Sequence, residues 1–258
     1  MNVIPTRERI MSVAAPCLTA AVLIALWHAG VEYSGTQVFP SPLDVVHAIG
    51  ELHAKGKLLP SMRDSLGRVA VGYSLAVVLG APLGLLMGTR RDLATALNPM
   101  IQFLRPISPL AWLPVAVVLM GIGNGAAILL IFLASFFPIV MSSMNAAMSV
   151  REVHLRVARN FGLAPSKIML RVLLRGAMPQ LLIGLRLTLG IAWLVVVAAE
   201  MLGVDSGLGY LVIDSRNAGK RYDLVVAAMV CIGMLGLVLN WVMQLLENAT
   251  VGRWSKDA

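Results

Sequence analysis

The residues best suited to chemistry lie in one short apolar segment, FLRPISPLAWLP, at positions 103–114. Its arginine, Arg105, carries a planar guanidinium whose forked N–H donors match oxyanions such as nitrate, sulfonate or carboxylate. Ser108 adds a hydroxyl, and Trp112 can form the wall of a narrow passage. Together these side chains predict a pathway for a small anion through nonpolar surroundings.

Two other roles for Arg105 stay open. It lies about 11 residues into its apolar run, or roughly 16 Å at ~1.5 Å per residue, so reaching lipid phosphate is awkward. It could instead neutralise a buried acid, because intramembrane acids usually have partners. Glu200 is the acid well inside a predicted helix, and Arg105 and Arg186 are its expected partners. Arg186 is also expected to anchor its helix near the headgroups.

The prolines around Arg105 predict how this segment is shaped. Pro106, Pro109 and Pro114 each lack a backbone N–H, so a helix here is expected to kink or break. A broken helix at membrane depth persists where protein or water satisfies the freed carbonyl groups, which favours a cavity lining.

The composition predicts an all-α membrane protein with a single transmembrane domain over residues 1–258. Hydrophobic residues make up 58% of the chain, charged residues 13%, and mean hydropathy is +0.82. A soluble domain is about 45–50% apolar and about 25% charged. A membrane-spanning helix needs roughly 20 apolar residues. Six runs meet that measure: Ser12–Val31, Val69–Met87, Leu93–Met120, Ala126–Met148, Met178–Val204 and Leu224–Leu246.

The net charge of +8 is explained by membrane topology rather than by nucleic-acid binding. If both termini are cytoplasmic, more than half of the Lys and Arg residues fall in cytoplasmic segments, as the positive-inside rule requires. The N-terminal apolar run lacks a clear cleavage site, so it is expected to be a retained first span rather than a signal peptide.

The sequence predicts no catalytic or cofactor site. Its two cysteines and four histidines have no metal-ligand spacing. The phosphate-binding pattern G-x-x-x-x-G-K-[ST] is absent, as are G-x-S-x-G and H-E-x-x-H. We therefore expect a chain that neither catalyses a reaction nor binds ATP by that route.

A polar segment at positions 149–180 predicts a helix–turn–helix on the cytoplasmic side. Ser149 and Glu152 form the capping-box pattern that begins a helix. Gly162 is expected to end that helix, Pro165 to begin a second, and Pro179 to mark entry into the fifth span. The first helix carries an apolar stripe of Val150, Val153, Val157 and Phe161. The segment either rests on lipid headgroups or docks a cytoplasmic partner.

The residues after the first span predict an amphipathic helix at the outer interface. Ser41 is expected to cap it, with Pro42 in its first turn. Val45, Ile49 and Leu52 then fall on one face.

The second span carries a glycine every four residues, at Gly80, Gly84 and Gly88. Small residues let helices approach closely in lipid, so a packing contact is expected and a subunit contact stays open.

The segment RVARNFGLAPSKIMLRVLLRGAMPQLLIGLRL resembles the cytoplasmic EAA loop in membrane subunits of binding-protein-dependent ABC importers. Ala158, Gly162 and Pro179 occupy the alanine, glycine and proline positions of that pattern. Arg156 stands where the family often has glutamate. FPSPLDVVHAI, LRPISPLAWLPVAVVLMGIGN and SGLGYLVIDSRN, among other stretches, resemble the branch that handles nitrate, sulfonates, taurine or bicarbonate.

This resemblance implies a type I importer permease in the bacterial inner membrane. It implies a second permease subunit, two ATPase subunits that bind ATP and Mg, and a periplasmic binding protein. The loop at about 149–178 would dock into the ATPase and transmit its closure. The resemblance implies a small anion as substrate, although some relatives handle neutral vitamin precursors. A passive anion channel would leave the loop unexplained. Glu200 would form an ion pair or contact the binding protein, and GVDSGLGYLVIDSRNAGKRYD would form either the gate or a plain loop.

Overall fold

The computed structural model describes residues 6–34, 39–219 and 221–254, and its regular elements in these ranges are all helices. The all-α prediction is confirmed. The α-helices are α1 Thr6–Ser34, α2 Pro42–Ala54, α3 Leu58–Thr89, α4 Arg91–Leu104, α5 Leu113–Met120, α6 Asn124–Met148, α7 Glu152–Asn160, α8 Pro165–Ile168, α9 Leu174–Gly203, α10 Leu208–Asn217 and α11 Tyr222–Trp254. A 3₁₀ turn, Pro109–Trp112, precedes α5, and a π-helical stretch, Met169–Leu173, joins α8 to α9.

Four helices in the described ranges are long and apolar enough to cross a membrane, and a bent pair raises the number to five. The four are Leu58–Thr89, Asn124–Met148, Pro165–Gly203 and Tyr222–Thr250. The apolar helical segment within α1 is Cys17–Tyr33, which is shorter than these four helices.

The bent pair is the predicted third span, and the predicted break is confirmed. The helix Arg91–Leu104 and the helical segment Pro109–Met120 meet at 86°. Pro106 lies at the break and Pro109 begins the 3₁₀ turn, while Pro114 lies in the first turn of α5. Each proline removes a backbone donor, and their spacing prevents a continuous helix across this region.

The helices divide into two compact units, Met1–Leu59 with Val212–Val230 and Pro60–Leu211 with Cys231–Ala258. The first unit contains α2, whose predicted cap and amphipathic face are confirmed. The Ser41 hydroxyl accepts a hydrogen bond from the Asp44 backbone N–H, and the Ser41 N–H donates to the Asp44 carboxylate. The Ser41 hydroxyl also donates to the Asp44 carboxylate at 2.7 Å, and this bond, followed by the one from the Ser41 N–H, lowers the pKa of Asp44. Val45 and Leu52 are buried on the opposite face.

Ion pairs link the two chain segments of the first unit. The Arg221 guanidinium lies 2.7 Å from the Glu51 carboxylate and 2.6 Å from that of Asp223. Hydrogen bonding from Arg221, followed by that from Lys55, lowers the pKa of Glu51. Because these side chains are partly exposed to solvent, each pair contributes little stability.

The second unit is built on close contacts of α6 with α3 and α9. A methyl group added at Gly84 of α3 would lie 2.6 Å from Ser143 Cβ in α6, and one added at Gly88 would lie 2.5 Å from Ala147 Cβ. At Gly184 of α9, an added methyl group would lie 2.5 Å from Ser142 Cβ. The predicted packing role of the α3 glycines is therefore confirmed, and within this chain the neighbour is α6.

A leucine at position 84 is expected to destabilise this unit, because α6 leaves no room for a side chain and overpacking costs about 1–3 kcal/mol or more. The purified protein carrying Gly84→Leu should unfold at a lower temperature than wild type. Gly67→Leu is the matched control, since Gly67 lies in the same helix with no described neighbour within 4 Å of an added methyl group. Equal melting temperatures for the two variants would contradict the assigned packing.

Candidate functional site

The loop between α6 and α9 begins differently from its predicted capping box. Ser149 ends α6 instead of starting α7: its N–H donates to Asn145 O at 3.0 Å and its hydroxyl to Ala146 O at 2.8 Å. Arg151 occupies the N-cap position of α7 and makes no side-chain capping bond. The capping prediction was wrong because the Ser149 hydroxyl is used one turn back, at the end of the preceding helix.

The turn that ends α7 depends on Gly162, as predicted. This residue has φ +71°, in the left-handed region. Gly162 N–H donates to Arg159 O and Leu163 N–H donates to Ala158 O, the paired hydrogen bonds of a Schellman motif. Pro165 then begins α8, also as predicted. Described neighbours lie more than 4 Å from where a Cβ would stand at Gly162, so backbone conformation selects glycine here, not crowding.

Pro179 does not mark a helix boundary. The helix runs without interruption from Pro165 to Gly203 and includes Pro179 in its interior. That Pro179 marks the entry into the fifth span stays a prediction, and the helix itself begins earlier, at Pro165. A single proline removes one helical hydrogen bond, and long membrane helices tolerate that loss where neighbours satisfy the carbonyl group. The second loop helix and the apolar span therefore form one continuous helix.

The outward face of α7 is apolar. Val153 is 60% exposed, Val157 47% and Phe161 82%, although all three belong to the stripe predicted from the sequence. Beside this stripe Ala158 is buried, which fixes the rotation of α7. The Arg156 guanidinium pairs with Glu152 at 2.9 Å, one turn back. An exposed apolar stripe beside charged residues indicates a surface that another macromolecule covers.

A cavity of about 780 Å³ lies behind this loop, between it and the ends of α3 and α6. Its lining includes the apolar side chains of Leu86, Leu155 and Leu173 as well as Arg90 and Arg159. The loop is thus separated from the ends of the long helices over part of its length.

The break in the third span brings Arg105 and Trp112 to one small cavity of about 30 Å³, whose wall includes Phe137 and Pro138 of α6. This volume holds about one water molecule. Arg105 is exposed, and its guanidinium has no hydrogen-bond or ion-pair partner among the residues that the structure describes. Ser108 is also exposed, just before the 3₁₀ turn, and does not line this cavity. The structure therefore gives Arg105 no acid to neutralise within the described part of the chain.

Glu200 pairs with Arg68, and the expected partners Arg105 and Arg186 were wrong. Glu200 Oε1 lies 2.6 Å from Arg68 Nη1, and both side chains are almost completely buried. Arg186 instead pairs with Glu247 at 3.1 Å. Hydropathy places the start of the second span at Val69, so Arg68 was not predicted as a partner of Glu200. In the structure α3 already begins at Leu58. The residues before the apolar run continue the helix, and hydropathy alone cannot show this.

These features belong to a recognisable class of protein. The sequence profile of the family described as the binding-protein-dependent transport system inner membrane component matches residues 78–252. The chain belongs to this family. The nitrate import permease protein of Synechocystis sp. is 33% identical over 248 residues, covering 93% of this chain and 90% of that protein. The taurine transport system permease protein of Escherichia coli is 33% identical over 239 residues, covering 89% and 86%.

The fold of the permease is also found in a solved ABC importer. A chain in an inward-facing structure of the MetNI methionine ABC transporter superposes with a TM-score of 0.67 at 20% identity, covering 75% of this chain and 95% of that one. The resemblance to ABC permeases of the nitrate and taurine branch is therefore confirmed, as is the membrane-protein class. Permeases are the non-catalytic components of such transporters, in agreement with the missing phosphate-binding pattern.

Proposed function

We propose that this permease is the membrane subunit of an ATP-driven importer that carries a small anion into the cytoplasm. Nitrate, bicarbonate and sulfonates such as taurine form the substrate class. Two permease chains enclose the pathway on a two-fold axis, each with six spans and both termini cytoplasmic. Two ATPase subunits bind ATP and Mg, and a periplasmic binding protein delivers the anion. The names of the similar nitrate and taurine permeases support this substrate class.

The observation that carries the transport mechanism is the exposed stripe of Val153, Val157 and Phe161 on α7. Because Gly162 turns the chain directly into α8, and α8 is continuous with α9, a partner bound to this stripe pulls on a membrane helix. The ATPase subunit is the partner that has mechanical work to transmit. Arg156 is held by Glu152, so docking rests on the apolar stripe, with Arg156 at its edge.

The anion side of the proposal rests on Arg105. An exposed arginine without a described partner, at a broken helix, keeps its donors available to a passing oxyanion. Two-fold symmetry would supply one such guanidinium from each subunit. Trp112 and Ser108 lie next to it along the chain and line the same route. This arrangement suits small anions and gives no comparable recognition to a neutral substrate.

Phe161→Asp is expected to abolish co-purification of the ATPase subunit, because a buried unpaired carboxylate opposes docking. Ile122→Asp is the matched control: Ile122 is 83% exposed against 82% for Phe161, but it lies in the α5–α6 turn. The control variant should retain the ATPase at wild-type stoichiometry. Equal retention of the ATPase by both variants would count against docking through α7.

A further inference from the structure

The cluster around Arg68 and Glu200 joins more of the chain than an ion pair requires. Arg68 Nε donates to Asn124 Oδ1 at 2.8 Å, and Nη1 donates to Glu200 Oε1 at 2.6 Å and to Ser206 O at 2.9 Å. Nη2 donates to the Ser206 hydroxyl. One side chain of α3 is therefore bonded to α6, to α9 and to the turn that follows α9.

Glu200 binds the same turn from the other side. Its Oε2 accepts hydrogen bonds from the Ser65 hydroxyl at 2.8 Å and from the Gly209 N–H at 2.9 Å. The Ser65 oxygen in turn accepts from the Leu208 N–H at 2.9 Å. The Leu208 and Gly209 N–H groups at the start of α10 thus both donate to residues of the cluster. The cluster therefore bonds with the turn Ser206–Gly209 at several atoms.

Gly207 fits the turn against the Glu200 carboxylate. Its φ is +101°, and an added methyl group would overlap the carboxylate. Both the conformation and the contact therefore require glycine, so the turn and the acid are shaped to each other.

A buried ion pair is weak evidence for stability, because desolvation offsets much of the attraction and apolar replacements are often neutral or stabilising. Here α3, α6 and α9 already pack closely through their glycines. Apolar substitutes for Arg68 and Glu200 could hold these helices together. They could not bond Ser206 or Gly209, so what depends on the charged pair is the position of the turn.

We propose that Arg68 and Glu200 are positioning residues that hold the turn Ser206–Gly209 at the anion entrance of the permease. The turn lies where α3 and α6 begin and α9 ends, the end of these helices remote from the α7–α8 loop. The entrance role rests on the proposed import function. The Arg68 side chain is buried and makes four hydrogen bonds to protein atoms, so it does not bind the anion itself, and Arg105 is left as the charge that does.

The test replaces the pair with apolar residues, Arg68→Met with Glu200→Leu, in a chain whose Cys17 and Cys231 have been changed to serine. Leu208→Cys is the reporter, because Leu208 belongs to the turn and its side chain is completely buried. We expect the double variant to assemble with its ATPase. Its reporter thiol should react with a membrane-impermeant maleimide about tenfold faster than in the chain with the pair intact. A tenfold change in rate corresponds to a loss of about 1.4 kcal/mol in the local stability of the turn. Anion uptake by the double variant should fall as its labelling rate rises. Unchanged labelling would overturn the proposal.

A second pair of variants decides the matter if the double variant does not assemble. Gly207→Ala and Gly219→Ala place alanine at nearly the same φ, +101° and +100°, but described atoms lie within 4 Å of an added methyl group only at Gly207. The proposal expects faster labelling of the Leu208→Cys reporter in the first variant alone, and equal rates would refute it. Labelling needs no substrate, so this result is valid even if the wild-type protein imports no anion. A wild-type protein that imports no anion would refute the proposed function instead.

Discussion

Gly162→Val is expected to uncouple ATP hydrolysis from transport. Valine at φ +71° is strained, and a left-handed conformation costs an ordinary residue about 1–2 kcal/mol, more when it is β-branched. Relief of that strain breaks the Schellman hydrogen bonds and reorients the exposed stripe relative to α8. The ratio of anion imported to ATP hydrolysed should fall about tenfold, as ~1.4 kcal/mol implies. The measurement is uptake and phosphate release from the same proteoliposomes.

Gly162→Asn is the control for this variant, because asparagine tolerates left-handed backbone better than other residues with a side chain. No described atom lies within 4 Å of the added methyl group, so asparagine has space. It should retain most of the coupling. Normal coupling in the valine variant would show that the turn is not part of the transmission path, whereas equal losses in both would show that glycine is needed for another reason.

Arg105→Ala is expected to reduce the initial rate of anion uptake by about 10- to 100-fold, the equivalent of losing one charge-assisted hydrogen bond worth ~1.5–3 kcal/mol. The side chain has no partner among the described residues, so its removal should leave assembly and melting temperature unchanged. ATPase activity stimulated by the binding protein should persist, because the proposed docking surface lies on α7. The measurement is uptake of labelled nitrate, bicarbonate and taurine, each with its cognate binding protein.

Two further variants separate charge from geometry and from position. Arg105→Lys keeps the charge but loses the planar fork, so it should recover only part of the uptake. Arg91→Ala removes an exposed arginine at the first residue of α4, the other end of the same helix, and should transport like wild type. If Arg105→Ala instead prevents assembly, the arginine is structural and the anion pathway does not depend on it.

Local chemistry explains which parts of the structure were predictable from the sequence. The break after α4, the turn at Gly162 and the cap at Ser41 each depend on a residue whose backbone preference or short side chain acts within one turn. The glycines of α3 were also predictable as a packing surface, because their four-residue spacing places them on one face.

The missed features depend on contacts that sequence spacing does not show. Ser149 fits the cap pattern, but the end of α6 takes its hydroxyl first. Pro179 resembles a helix boundary, yet the helix continues through it. Arg68 and Glu200 lie 132 positions apart, so only the packing of α3 against α9 brings them together. Local rules therefore located the loop and the broken span but not the buried pair.

The central claim is that this permease moves small anions only when ATPase closure acts on it through the α7–α8 loop. Its most direct test is uptake of labelled nitrate, bicarbonate or taurine into proteoliposomes that hold the permease and its ATPase subunits. ATP and the cognate binding protein are each added or withheld. The account predicts accumulation of at least one anion only when both are present, and loss of that accumulation in Phe161→Asp. Anion flux that continues without ATP, or that survives in Phe161→Asp, would contradict it.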